Sequence, residues 1–133
     1  MRRFRRSLPP DLQAAWTAFE DVLAVLEPAK ARLTQVVPTT RVPGRPLGEA
    51  ASEFGGALAE AASRMPAWRR PEVERWWDAC DAGVREARRR VEGLAVEPDG
   101  FESLIWSVEQ LLDPLEPFTE AARRFSDLRV RGR

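Results

Sequence analysis

Residues 71–94 read "PEVERWWDACDAGVREARRRVEGL", and the spacing of their apolar members decides the fold. Val73, Trp77, Cys80, Val84, Ala87, Val91 and Leu94 follow one another in steps of four and three. At roughly 100° per residue such steps fall on one stripe of an α-helix. Trp76 and Trp77 lie on the two edges of that stripe and Cys80 near its middle, so helical geometry alone places all three against a core. Pro71 suits a first helical turn, and Glu72 and Glu74 suit its positive dipole end. On the outer face Asp81–Arg85 and Glu86–Arg90 are spaced for i,i+4 ion pairs, each worth a few tenths of a kcal/mol. Asp78 and Asp81 beside Cys80 would raise its pKa, the opposite of what a reactive thiol needs.

Three further segments carry the same periodicity. The first starts near Pro10 and buries Leu12, Trp16, Phe19, Val22, Leu23 and Leu26 before Pro28, with Leu33, Val36 and Val37 continuing beyond. The second, about 47–65, lines up Leu47, Ala51, Phe54, Leu58, Ala61 and Met65, yet holds Gly55 and Gly56 in mid-helix. Each glycine costs about 1 kcal/mol relative to alanine there. Gly55 flanks the stripe among small residues, where it permits close helix approach. Gly56 points the other way, so the helix bends there or something outside the monomer packs on that face. The last segment opens with "PDGFES", in which Asp99 and Glu102 form a capping box. Its apolar face runs Phe101, Leu104, Ile105, Val108, Leu111, Leu112, Leu115, Phe118, Ala122 and Phe125, with Pro114 and Pro117 kinking it near Asp113.

The connections at 38–46, 66–71 and 95–98 are short enough to join antiparallel neighbours. The expected fold is therefore all-α, a single-domain antiparallel four-helix bundle with proline-kinked first and fourth helices. Its helices span about 10–37, 47–65, 71–94 and 99–126, between a basic arm (1–9) and a basic tail (127–133). "FEDVLAVLEPA" (19–29) and "VEQLLDPLEPF" (108–118) share Leu-Glu-Pro, which reads as two bent helices with matching kinks.

With 133 residues, 44% hydrophobic and 32% charged, the chain can bury one core. One cysteine forms no internal disulfide, and no window reaches 18 apolar residues. The start "MRRFRRSLPPDLQAAW" is basic like an export signal, but Pro9, Pro10 and Asp11 occupy the place of its apolar run. A cytoplasmic location is the expectation. The chain lacks histidine and tyrosine. Serine–histidine and cysteine–histidine nucleophiles, and metal sites needing histidine, are thereby excluded within one chain. No cofactor and no metal is expected. Glutamates on the second and fourth helices lie opposite the apolar stripes, as a solvated face. Arginine-based catalysis would require inward-pointing arginines, whereas those on regular helices here face outward or lie at ends. The expectation is accordingly no enzyme.

Two groups of residues stand out as candidate contacts. Gly56, together with Trp68, Arg69 and Arg70 in a turn and Trp106 off the fourth stripe, could meet a protein partner, including a second copy, since indole and arginine are enriched at interface hot spots. Arg2, Arg3, Arg5 and Arg6 at one end, and Arg123, Arg124, Arg129, Arg131 and Arg133 at the other, could grip a polyanion. Against the latter stand a net charge of zero and a pI near 6.4. The arms could instead fold onto the acidic faces that hold Glu49, Glu53 and Glu60. A non-catalytic interaction or accessory module, in one version a homodimer, is the leading expectation. Nucleic-acid or polyanion binding through the arms, and an apolar ligand held between the helices among the tryptophans, are the alternatives.

Overall fold

Four stripes of apolar side chains meet in one core, and the chain folds as an all-α four-helix bundle. The computed structural model describes residues 5–94 and 98–132, with side chains for 7–94 and 98–129. In order the elements are β1 (Arg5–Ser7), α1 (Pro10–Thr34), α2 (Leu47–Arg64), α3 (Glu74–Glu92), α4 (Phe101–Leu112), α5 (Pro117–Asp127) and β2 (Val130–Gly132). Short 3-10 turns at Met65–Trp68 and Pro71–Val73 join α2 to α3, and another at Asp113–Leu115 joins α4 to α5. α4 and α5 together are the kinked fourth helix of the bundle, broken where Pro114 and Pro117 remove helical donors.

The first helix runs through Pro28 without a break and ends at Thr34, short of the expected 37. Pro28 and Ala24, whose carbonyl loses its donor, both lie on the exposed face, where water can serve the freed oxygen. α2 is likewise continuous across Gly55 and Gly56. A Cβ on Gly55 would stand 3.2 Å from Val91 Cγ1 of α3, which is the close approach the small residue permits. The fourth helix begins at Phe101 after Gly100, and no side chain caps it, so the capping box expected of Asp99 and Glu102 is not formed.

Cross-contacts fix the antiparallel order. Near one end the Trp77 indole donates to the Met65 carbonyl (2.7 Å), Arg70 pairs with Asp11 (3.2 Å), and Arg124 donates to the Glu72 carbonyl (3.3 Å). Toward the other end Gly55 faces Val91, and Arg90 donates to the Gln110 carbonyl (2.8 Å) across α3 and α4. β1 and β2 pair antiparallel at the first end, with Arg5 opposite Gly132, Arg6 opposite Arg131 and Ser7 opposite Val130.

The middle of the core is aromatic. Phe19 lies 4.9 Å from Trp68, 5.3 Å from Phe125 and 6.0 Å from Phe118 between ring centres, with Trp16 stacked at 5.6 Å. Trp68 also reaches Trp77 (6.4 Å), so this cluster ties α1, α3, α5 and the turn after α2 together. Such ring pairs add about 0.5–1.5 kcal/mol beyond the area they bury. Cys80 and Trp77 are buried as the stripe requires, and Trp76 is half-buried. Gly83, also buried on α3, underlies the kink: a Cβ there would overlap the carbonyl oxygen of Pro114.

Candidate docking face on the fourth helix

α4 starts with the residues "FESLIW", and not one of the six is buried, although four are Phe101, Leu104, Ile105 and Trp106. Phe101 is 55% exposed and Trp106 is 61% exposed. The apolar stripe expected over the whole fourth helix takes hold only from Ser107, Val108 and Leu111. Leu104 leans on the core, whereas Phe101 at the helix start stays more than half exposed. Periodicity places these residues on one side of a helix but does not supply a neighbour for that side. Val42, in the 38–46 connection, is 61% exposed as well. By the antiparallel order that connection and the start of α4 share one end of the bundle, and the β1–β2 ribbon sits at the other.

The charge around Trp106 is one-sided. Glu102, Glu109 and Asp113 stand at the fourth, third and seventh positions from it, which is the same side of a helix. From Asp99 to Glu120 the sequence holds six carboxylates and no arginine or lysine. Of these only Glu120 has an ion pair among the described residues, with Arg123 (3.1 Å). Elsewhere tryptophan and arginine go together. Arg69 lies over the Trp77 ring (4.6 Å), Arg124 over Trp76 (4.7 Å) and Arg129 over Trp16 (5.6 Å). No described arginine covers Trp106. Among the described residues it is the exposed indole flanked by carboxylates and not covered by a cation.

The other expected contacts are distributed differently. Trp68 is fully buried, 0% exposed, and so is not a surface contact. It continues the stripe of α2 through Leu58, Ala61 and Met65, and its indole N–H meets the Met65 sulfur (3.3 Å). Arg69 pairs with Glu74 (3.0 Å), and Arg70 holds Asp11 and the carbonyl of Arg69 (2.9 Å). Gly56 is exposed on α2, and nothing lies within 4 Å of where its Cβ would stand. The glutamates of that helix have local cations: Arg45 reaches Glu49 (3.4 Å) and Glu53 (2.6 Å), and Arg64 reaches Glu60 (2.9 Å).

Among the arginines expected to grip a polyanion, Arg123 is paired with Glu120, and Arg124 and Arg129 rest on tryptophans. Arg5, Arg6 and Arg131 lie on the paired ribbon, so the two arginine-rich ends share one pole of the bundle. Arg2, Arg3 and Arg133 lie outside the described residues.

Cys80 is fully buried, and burial, followed by the charge of Asp81, pushes its thiol up to about 12. A thiol so placed is neutral at physiological pH and a poor nucleophile. A surface groove of about 810 Å³ runs between α3 and α5, lined by Arg75, Trp76, Pro114, Pro117 and the carboxylates Asp113, Glu116 and Glu120. It opens broadly to solvent and is edged with charge, unlike the apolar pocket between helices considered from sequence. Among the described residues no three cysteine or carboxylate side chains gather as metal ligands, and none of the helices they form is long and apolar enough to cross a membrane. No family model, curated protein or solved structure matches the chain.

Proposed function

We propose that this chain is a non-catalytic, cytoplasmic protein-interaction module whose docking surface is the outer side of α4. One observation carries the reading: six consecutive residues at the start of α4 remain unburied while four of them are large and apolar. A helix that keeps phenylalanine and tryptophan in water without covering them resembles a recognition helix more than a structural one, because apolar area has its lowest free energy when covered. Trp106 has the indole typical of an interface anchor, and its flanking carboxylates form a polar rim. The absence of histidine and the neutral, enclosed thiol of Cys80 support a role without covalent chemistry.

The test is photo-crosslinking in cells that make the protein, with a photoreactive residue in place of Trp106 and, as control, in place of Glu20. Position 106 should give a discrete crosslinked protein that position 20 does not. Equal labelling at both positions, or none, would remove the α4 face from consideration.

A second reading has its own observation. Pairing of β1 with β2 brings Arg5, Arg6 and Arg131 onto one backbone ribbon, so arginine-rich segments from both ends of the chain meet at one pole. On this reading the ribbon pole binds nucleic-acid phosphate. Affinity for a DNA duplex should then fall steeply with salt, and Arg6→Glu/Arg131→Glu should abolish it. Lack of binding at low salt would end it.

A further inference from the structure

We propose that the partner received by α4 is the arginine-rich pole of a second copy of this chain, so that copies associate head to tail. The inference rests on the docking reading of α4 and names its occupant. Charge complementarity is the first ground. The chain is neutral overall, yet its charge is sorted: six carboxylates without a base run from Asp99 to Glu120, and Arg2, Arg3, Arg5 and Arg6 precede α1 while Arg129, Arg131 and Arg133 follow α5. Those arginines are interleaved with Phe4 and Val130, which offer the apolar counterpart that Phe101, Ile105 and Trp106 lack.

The second ground is local precedent. Trp16, Trp76 and Trp77 each already carry an arginine 4.6–5.6 Å from the ring centre, and Trp106 carries none that is described. An arginine from another molecule would complete for Trp106 the arrangement the fold builds for the others, with Glu102, Glu109 and Asp113 as its counter-ions.

Geometry makes the contact intermolecular. Arg5, Arg6 and Arg131 are held on the ribbon at the end of the bundle where α5 finishes. From Trp106 to that end the fourth helix runs roughly 30 Å at 1.5 Å per residue. These arginines therefore reach the indole of another copy and not their own. A symmetric pairing of two α4 helices is disfavoured, since it would oppose the carboxylate row to itself. What remains is a heterologous contact between unlike surfaces, which leads to a ring or an open chain of copies.

The experiment is sedimentation velocity at low ionic strength, using the full chain and two charge-reversed variants. Glu102→Arg/Glu109→Arg alters the acidic face, and Arg6→Glu/Arg131→Glu alters the pole. Wild type should sediment faster than a monomer, increasingly so with concentration, and return to monomer in 1 M salt. Each variant alone should be monomeric. Mixed in equal amounts they should associate again, because the intact pole of one meets the intact face of the other and the two reversed surfaces are also opposite in charge. Trp106→Ser, which leaves the ribbon untouched, should weaken wild-type association at least about tenfold. Circular dichroism showing unchanged helix in every variant guards against a folding artefact.

A monomeric wild type, variants that associate as well as wild type, or a mixture that stays monomeric would overturn the proposal. Crosslinking of position 106 to a different protein would overturn it too, while leaving the docking face in place. DNA binding that disappears in the pole variant, with a wild type monomeric throughout, would assign the pole to nucleic acid instead.

Discussion

Gly83 of α3 lies beneath the carbonyl of Pro114 so closely that a methyl group on the glycine would overlap the oxygen. The kink of the fourth helix is seated on that contact, and backbone cannot rotate aside as a side chain can. Three glycines of the bundle should therefore respond differently to alanine. Gly83→Ala should cost about 3 kcal/mol, as overpacking against a fixed neighbour does. Gly55→Ala meets only Val91 Cγ1 at 3.2 Å, and its gain in helix propensity should leave it within about 1 kcal/mol of neutral. Gly56→Ala, with open space above it, should stabilise by roughly 0.5–1 kcal/mol. Urea unfolding of the three variants gives the order directly. Unchanged self-association of Gly56→Ala would place the partner away from that glycine.

The raised pKa of Cys80 makes an alkaline prediction. An unfolded chain releases this proton near the ordinary value of 9.0, and the folded one holds it until about 12. Between those values the native state binds the extra proton, so stability is complete below the lower value and falls as pH rises. The slope attributable to one such group is at most about 1.4 kcal/mol per pH unit. With no tyrosine in the chain, the window is clear of the phenol titration that usually fills it. Unfolding free energies at pH 8 to 11 should decline less steeply for Cys80→Ala than for wild type. Equal slopes would show that the thiol does not ionise on unfolding.

The two tryptophans paired in the sequence reading as surface contacts should separate completely. Trp68→Ala removes a fully enclosed ring from the aromatic cluster and should cost about 3–5 kcal/mol. Trp106→Ala should change stability by less than about 0.5 kcal/mol, because the residue is 61% exposed. Thermal unfolding of both variants decides the matter, and a large loss for Trp106→Ala would mean that α4 depends on that ring for its own packing.

Arg90 joins α3 to α4 through Glu86 (2.9 Å) and the Gln110 carbonyl (2.8 Å). Replacement by methionine keeps the stem and removes both bonds. With the side chain about one-third exposed, the loss should be near 1 kcal/mol. Arg90→Lys should recover only part of it, since an ammonium cannot span both acceptors as the guanidinium fork does. Hydrogen exchange of α4 amides, faster in Arg90→Met than in wild type, would localise the effect to that helix.

The regular parts of this architecture were legible because each is local. Steps of four and three from Val73 to Leu94 specify a helix and its buried side without reference to the rest of the chain. So do the i,i+4 pairs Asp81–Arg85 and Glu86–Arg90, both present at 2.9 Å. Trp68 is buried although it sits in a turn, a position that by itself suggests exposure. The i+3 step from Met65 already continued the stripe of α2, and a 3-10 turn preserves that direction. Phe101 failed for the opposite reason, since periodicity names a side of a helix but not whether another helix reaches it. Gly83 sits among Cys80, Val84 and Ala87 on the buried stripe, where a missing side chain signals close approach by a neighbour. The pairing of residues 5–7 with 130–132 had no local signal at all, as it joins segments more than a hundred residues apart. The face around Trp106 was half legible, its exposure following from its place off the stripe. The carboxylates around it and the lack of a described arginine above it became meaningful only beside the three indoles that carry one.

The ribbon of β1 and β2 also determines how the fold responds to tension. Arg5 pairs with Gly132 and Ser7 with Val130, so a pull that separates residues 5 and 132 acts along the interstrand bonds, which run perpendicular to the strands. The load falls first on the outermost pair and then on the next, as in a zipper, and never on all of them together as in shear. Such a closure yields to small forces and re-forms readily. Once it has parted, the pull passes to the start of α1 and the end of α5, where Arg129 over Trp16 and the packing of Phe125 on Phe19 are next to bear it.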